Sequence, residues 1–271
     1  MKESLRLIGW ALGGVAWWAA TGCAGSGQIS ARDASLTRDL PSDARSLSKA
    51  QQTVATAGDP AAPPDARRRA MARIATSTAA AEPVYLEFYR AVLADPDTDP
   101  TLASVCATAL ANHGPARDVA AILPLLESPE SFTRWQAATA LQRLHHPDAV
   151  GPLVARLADD QDPDTRAAAA DALGQYPRRD VFDTLVIALD DPDTGVARAA
   201  RQSLAQLTHA HVGDDPRAWL DLADERRDAG QPLFDPQPYT YTPYPPSRGW
   251  LGWVLFFLPP TQAQPVTPTG L

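Results

Sequence analysis

The fold of this chain is decided by a stretch that recurs three times, as Arg134–Leu144 (RWQAATALQRL), Arg166–Tyr176 (RAAAADALGQY) and Ala197–Leu207 (ARAARQSLAQL). One leucine of each copy aligns with the others, and an earlier leucine adds a fourth member, giving the anchors Leu110, Leu141, Leu173 and Leu204. The intervals between successive anchors are 31, 32 and 31 residues. A steady period of this length is typical of stacked solenoid units.

Each copy predicts a helix with one apolar stripe. Small residues stand four positions before the anchors, at Cys106, Ala137, Ala169 and Ala200. Together with the residues three positions before and three after each anchor, they follow the i, i+3, i+4, i+7 spacing of a single helical face. Because the residues at one end of the stripe are small, we expect a neighbouring helix to approach closely there.

A second apolar helix precedes each copy. Its stripes keep the same 0, 3, 4, 7 spacing, starting at Val119, Val150 and Phe182. The turn between the two helices contains Asp-Pro-Asp-Thr at residues 95–98, 162–165 and 191–194, where proline stops the first helix and Asp or Thr can cap the second. Pro124 falls inside one first helix and predicts a bend there.

This two-helix unit resembles the HEAT repeat, in the variant common in bacterial arrays. The residues that carry the resemblance are Asp-Pro, a short gap, an arginine at Arg134 and Arg166, then Ala-Ala and the anchor leucine. The resemblance covers roughly residues 41–230 and implies an all-α, right-handed superhelix of about five helix pairs plus a capping helix. We expect Trp219, Leu220 and Leu222 of that last helix to cover the apolar end of the stack.

The start of the chain predicts export. Residues 1–23 read as a secretory signal, and Ala20-Thr21-Gly22-Cys23 resembles a bacterial lipobox, which implies lipidation of Cys23. The alternative is that residues 5–22 stay as an uncleaved membrane anchor. Residues 24–40 read as a flexible tether. The lipobox resemblance, with Ala24 after the cysteine, implies an outer-membrane lipoprotein that faces the periplasm.

The end of the chain is different in composition. Residues 231–271 are rich in proline, and residues 249–258 (GWLGWVLFFL) form an apolar aromatic run that is too short to span a bilayer as a helix. Three interpretations stay open for this run. It is a strap packed on the array, an interfacial anchor that adds to the lipid, or a docking peptide for a partner.

Composition and motifs point away from catalysis. The net charge of −8 argues against nucleic acid as a partner, and the two cysteines form no zinc spacing. No metalloprotease, nucleophile-elbow, P-loop or dinucleotide motif occurs. His209-x-His211 with Asp214 and Asp215 could hold a metal, but histidine is also favoured at helix ends, which is where these fall. The sequence therefore predicts no cofactor and no metal.

A polar row along the second helices is the predicted partner-binding surface. Positions two before and two after each anchor are polar, which fits either a binding groove or an ordinary solvated face. The candidate residues are Trp135, Thr139, Arg143, Asp171, Gln175, Gln202 and Gln206. The favoured hypothesis is a non-catalytic envelope lipoprotein that acts as a protein-interaction scaffold. The alternatives are a HEAT-like ligand-binding protein or lyase-type enzyme, and a structural envelope component.

Overall fold

The computed structural model describes residues 49–234, 239–241 and 264–271, and this part of the chain is all-helical. The predicted signal segment with Cys23, the tether and the aromatic run 249–258 lie outside the described residues. Among the helices that are described, none combines the length and the hydropathy that crossing a bilayer requires.

The described residues contain eleven α-helices, which we number in chain order. They are α1 (Lys49–Gly58), α2 (Pro64–Ala75), α3 (Pro83–Ala94), α4 (Pro100–His113), α5 (Val119–Ile122), α6 (Ser131–Gln142), α7 (Val150–Asp159), α8 (Pro163–Leu173), α9 (Arg179–Ile187), α10 (Thr194–Thr208) and α11 (Pro216–Asp228). The chain divides into two compact units, residues 1–140 and 141–271, with the division near the end of α6.

The first unit is built from neighbouring helices in contact, as in a solenoid. Helix α1 packs against α2, α2 packs against α4, and α3 packs against α4 and α5. Leu110 and Cys106 are fully buried in α4. Burial raises the pKa of the Cys106 thiol to about 12, so the residue is a neutral part of the core.

Helix α5 is short because of Pro124. The α-helix ends at Ile122, and residues Leu123–Glu127 continue as a tighter 3-10 helix. Proline has no backbone N–H to donate and its ring clashes with the preceding turn, so the regular α-helical hydrogen bonding stops there. The bend predicted from the sequence is therefore a change of helix type.

The second unit repeats the same packing. Helix α8 packs between α7 and α10, and α9 packs against α7, α10 and α11. The contact between α8 and α10 is very close: the Ser203 hydroxyl donates to the Ala170 carbonyl at 2.8 Å, and a Cβ on Gly174 would lie 2.7 Å from the Ser203 Oγ. The predicted small residues Ala169 and Ala200 are fully buried in this unit, as are the anchors Leu141, Leu173 and Leu204.

The second helices are capped by aspartates at a fixed distance from the anchor. Asp99, Asp162 and Asp193 each accept a backbone N–H of the first turn, and each stands eleven residues before its anchor leucine. These caps occupy different positions relative to the Asp-Pro-Asp-Thr motif. Asp99 directly follows the first copy of the motif, Asp162 is the first residue of the second copy, and Asp193 is the third residue of the last copy. The repeating feature is thus the cap position and not the tetrapeptide.

The arginine of the repeat holds the turns together. The Arg166 guanidinium donates to the Asp160 carbonyl at 2.9 Å and forms a two-pronged ion pair with Asp191, with both N–O distances 2.8 Å. In the first unit, Arg134 makes the equivalent bond to the Ser128 carbonyl at 2.9 Å. The pair lowers the pKa of Asp191, chiefly through the hydrogen bond from Arg166.

The last helix covers part of the end of the array. Trp219 in α11 is fully buried, and its indole N–H donates to the Gly213 carbonyl at 2.9 Å. Leu220, which the sequence placed in the same apolar cover, is 41% exposed. It points away because adjacent residues of a helix lie on different faces.

We expect Asp191→Asn to lower the free energy of unfolding by about 1–3 kcal/mol near neutral pH, because Arg166 loses its charged partner. Folding depresses the pKa of Asp191, so its contribution is complete above about pH 4 and is lost as the pH falls through the folded value. Urea unfolding over this pH range measures the difference, which should shrink in acid. Asp183→Asn, in the exposed pair with Arg179, is the matched control and should change stability little. Equal effects of the two substitutions would contradict this role for Asp191.

Candidate functional site

Two residues of the predicted polar row lie in the first unit. Trp135 is half-buried and packs beside the exposed Phe132, with ring centroids 5.7 Å apart. The Thr139 hydroxyl donates to the Trp135 carbonyl at 3.0 Å, so it serves its own helix. Trp135 and Phe132 therefore form a small aromatic surface within this unit.

In the second unit, the C-terminal tail lies on the predicted row. Tyr239 is almost fully buried, and its hydroxyl accepts from the Gln142 amide at 2.8 Å. The same hydroxyl donates to the backbone carbonyl of Asp171 at 3.0 Å. A phenol with both hydrogen-bonding functions satisfied against α6 and α8 is a specific contact.

The final residues of the chain make a second contact beside the first. The Thr269 N–H donates to the Arg143 carbonyl and the His145 N–H donates to the Thr269 carbonyl, both at 2.9 Å. Tyr241 and Val266 pair as an isolated antiparallel bridge, which joins the two described parts of the tail. We call Tyr239–Tyr241 together with Gln264–Leu271 the clasp. It packs on the repeats, whereas the aromatic run 249–258, to which the strap interpretation applies, lies outside the described residues.

Gln175 is not on the surface, although the sequence pattern placed it there. It is 3% exposed, and its amide donates to the Leu141 and Gln142 carbonyls at 3.3 Å each. Its carbonyl oxygen lies 3.2 Å from Nδ1 of His145. The C-terminal carbonyls of a helix need partners, and Gln175 supplies them from the following repeat.

Asp171 carries the one carboxyl among the candidate residues of the row. Burial raises its pKa to about 6, and the positive charge of Arg198 opposes that shift. Tyr239 of the clasp bonds to the backbone of this same residue, and its phenol lies near enough to the carboxyl to interact with it electrostatically. An aspartate in this position is costly to keep ionised at neutral pH.

We expect Asp171→Asn to stabilise the second unit near neutral pH. Folding raises the pKa of Asp171 from about 4 to about 6, so the wild-type chain loses stability as the pH rises across that interval. Urea unfolding below and above the interval should show the gain only at the higher pH. In a Tyr239→Ala background the gain should shrink, since the carboxyl is then hydrated. An undiminished gain would mean that the clasp does not cover Asp171.

The remaining candidates, Gln202 and Gln206, line an open cleft of about 750 Å³ at the end of α10. We call this the terminal cleft. Its lining residues are Arg201, Gln202, Ala205, Gln206, His209, His211, Val212, Gly213 and Trp219. Of the predicted row in the second unit, this is the part that the clasp leaves open to solvent.

The terminal cleft lies on α10, which is the second helix of the last repeat. On α8, Ala170 and Gly174 form the face that receives α10. The equivalent positions on α10 are Arg201 and Ala205, and both line the cleft. The cleft is therefore the helix-stacking face of the last repeat, bordered by the loop before α11.

Arg201 was missed by the sequence analysis, although a signal was present. The position three residues before each anchor is Ala107, Ala138 and Ala170 in the earlier copies and Arg201 in the last. The Arg201 Nε lies 3.2 Å from Asp214 Oδ1 in the neighbouring loop. A charged side chain in an otherwise small column marks a position that has a different role.

The arrangement is suited to binding through hydrogen bonds and charge. Within the described residues, no three His, Cys, Asp or Glu side chains are grouped as they would be to hold a metal ion. The pair His209 and His211 lies at the C-terminal end of α10, where His209 adopts a left-handed conformation with φ 50°. This backbone conformation ends the helix, and both histidines are among the residues that line the cleft.

Comparison with known proteins identifies the repeat. The family model for HEAT repeats matches residues 86–164 and 150–229, which together span more than half of the chain. A search of curated proteins finds no match. Among solved structures, the chain is similar to human deoxyhypusine hydroxylase in complex with glycerol, with 20% sequence identity and a TM-score of 0.36, over 66% of this chain and 78% of that chain. From its repeats, the chain belongs to the HEAT-repeat family.

Proposed function

We propose that this protein is a non-catalytic protein-interaction scaffold of the cell envelope, and that it binds its partner at the terminal cleft. The proposal rests on one observation, which is that the clasp packs on only one part of the polar row in the second unit. The clasp occupies the part beside Gln142 and Asp171, and the part beside Gln202 and Gln206 is open.

The chemistry of the cleft supports binding to a polypeptide. Gln202 and Gln206 offer amide donors and acceptors of the kind that pair with a peptide backbone. Ala205 and Val212 add apolar surface, and Arg201 adds a cation. Interfaces of this kind combine an apolar centre with polar groups around it, and arginine is enriched among the residues that dominate their energy.

The test is site-specific photo-crosslinking in the native host. A crosslinking residue at Gln202 or Gln206 should give one adduct of defined mass, because the partner contacts these side chains. The matched control is the same residue at Ile187, which is exposed on α9 outside the cleft. Adducts from both places, or from neither, would contradict binding at the cleft.

We further propose that Cys23 is lipidated and anchors the chain in the envelope, on the strength of the lipobox resemblance at residues 20–23. The mature protein should begin at Cys23 and carry acyl chains, which mass spectrometry of the N-terminal peptide measures directly. Cys23→Ser should abolish both the acyl modification and cleavage before residue 23. Retention of residues 5–22 in the mature chain would instead support the uncleaved anchor.

A further inference from the structure

We infer that the terminal cleft recognises an acidic segment of a partner polypeptide, and that Arg201 binds one of its carboxylates. The inference rests on the proposed function, since it names the chemistry of the partner at the same cleft. Three observations carry it: the charge of the lining, the break in the repeat at Arg201, and the carboxylate that Arg201 already holds.

The residues that line the cleft include one charged side chain, and it is a cation. The chain carries a net charge of −8, yet no Asp or Glu is among the residues that line the cleft. The one charged side chain of the lining is the guanidinium of Arg201. A guanidinium in this position favours a ligand that presents an anionic group.

The side chain three residues before the anchor leucine is small and buried in α8 but long and charged in α10. The backbone carbonyl of Ala170 on α8 accepts from the Ser203 hydroxyl, and the Ala170 side chain is fully buried. The equivalent Arg201 on α10 is too large for another helix to approach in the same way, and its side chain is 42% exposed. Arginine at this position therefore closes the stack to a further repeat and leaves a charged group at the base of the cleft.

Asp214 shows how a carboxylate sits against Arg201. Its Oδ1 lies 3.2 Å from Arg201 Nε, and the Asp214 side chain is 77% exposed. Exposed ion pairs contribute little to stability, so this intramolecular carboxylate is readily replaced. An arginine fork can bind an incoming carboxylate through two parallel hydrogen bonds, and the amides of Gln202 and Gln206 lie along the same wall to bond the adjoining peptide backbone.

Two substitutions, Arg201→Gln and Asp214→Asn, should change the affinity for an acidic peptide in opposite directions. The probe is a short Asp-rich peptide, acetylated and amidated at its ends, and its affinity for the mature full-length protein is measured by calorimetry. Arg201→Gln should weaken binding about tenfold or more, because the charge-assisted hydrogen bonds are lost. Asp214→Asn should strengthen binding about two- to fivefold, because the competing carboxylate is removed. A structural role alone would not make the second change favourable.

The matched control is the pair Arg179 and Asp183, which is also an exposed arginine–aspartate pair in the second unit but lies outside the cleft. Arg179→Gln and Asp183→Asn should leave peptide affinity unchanged. The chain has five histidines. When the peptide is added, the NMR resonances of the ring protons of His209 and His211, which line the cleft, should shift, while those of His113, His145 and His146 should not. Circular dichroism confirms that each variant is folded.

Two further ligands test whether the cleft requires both a carboxylate and a peptide backbone. The same peptide with Asn in place of Asp should not bind, and succinate should bind far more weakly than the peptide, since it lacks a backbone for the glutamines. Equal binding of succinate and peptide would overturn a polypeptide partner in favour of a small carboxylate. If the peptide fails to bind while crosslinking at Gln202 still traps a protein, the acidic chemistry is wrong and the scaffold function stands.

Discussion

The close approach of successive second helices is the contact on which the rest of the second unit depends. Ser203 meets the Ala170 carbonyl and the bare Cα of Gly174 at a distance that no larger side chain permits. The anchor leucines of this unit are fully buried, and on the other side of α8 the Gln175 side chain bonds back to the end of α6. Dense packing makes such contacts sensitive to a single methylene.

Aspartate has two opposite effects in this unit, and the surroundings decide which. At Asp191, the guanidinium of Arg166 stabilises the carboxylate and lowers its pKa. At Asp171, burial dominates and raises the pKa to about 6. The difference arises because two hydrogen bonds from a fixed cation outweigh desolvation, whereas the nearby charge of Arg198 does not. Asp171 therefore reports whether the clasp is in place.

The clasp and the terminal cleft divide one predicted surface between them. Tyr239 and Thr269 hold the tail against the ends of α6 and α8 through backbone and side-chain hydrogen bonds. The cleft at α10 keeps the same kind of polar side chains in solvent and adds Arg201. The chain packs its own tail on one part of the row, and the part beside α10 is where we propose that a partner binds.

The sequence by itself determined the repeat, the helix pairs and the buried anchors, because a period of 31 or 32 residues with small residues beside each leucine fits one kind of packing. It also contained the two signals that were not used, the fixed cap position and Arg201 in a column of alanines. Only the tertiary structure decided which polar residues of the row face solvent. A helical period assigns a face to Gln175 and Gln202 alike, but burial depends on what packs against that face. In the second unit, the neighbouring helix buries Gln175, and the C-terminal tail, which is far away in sequence, packs beside Gln142.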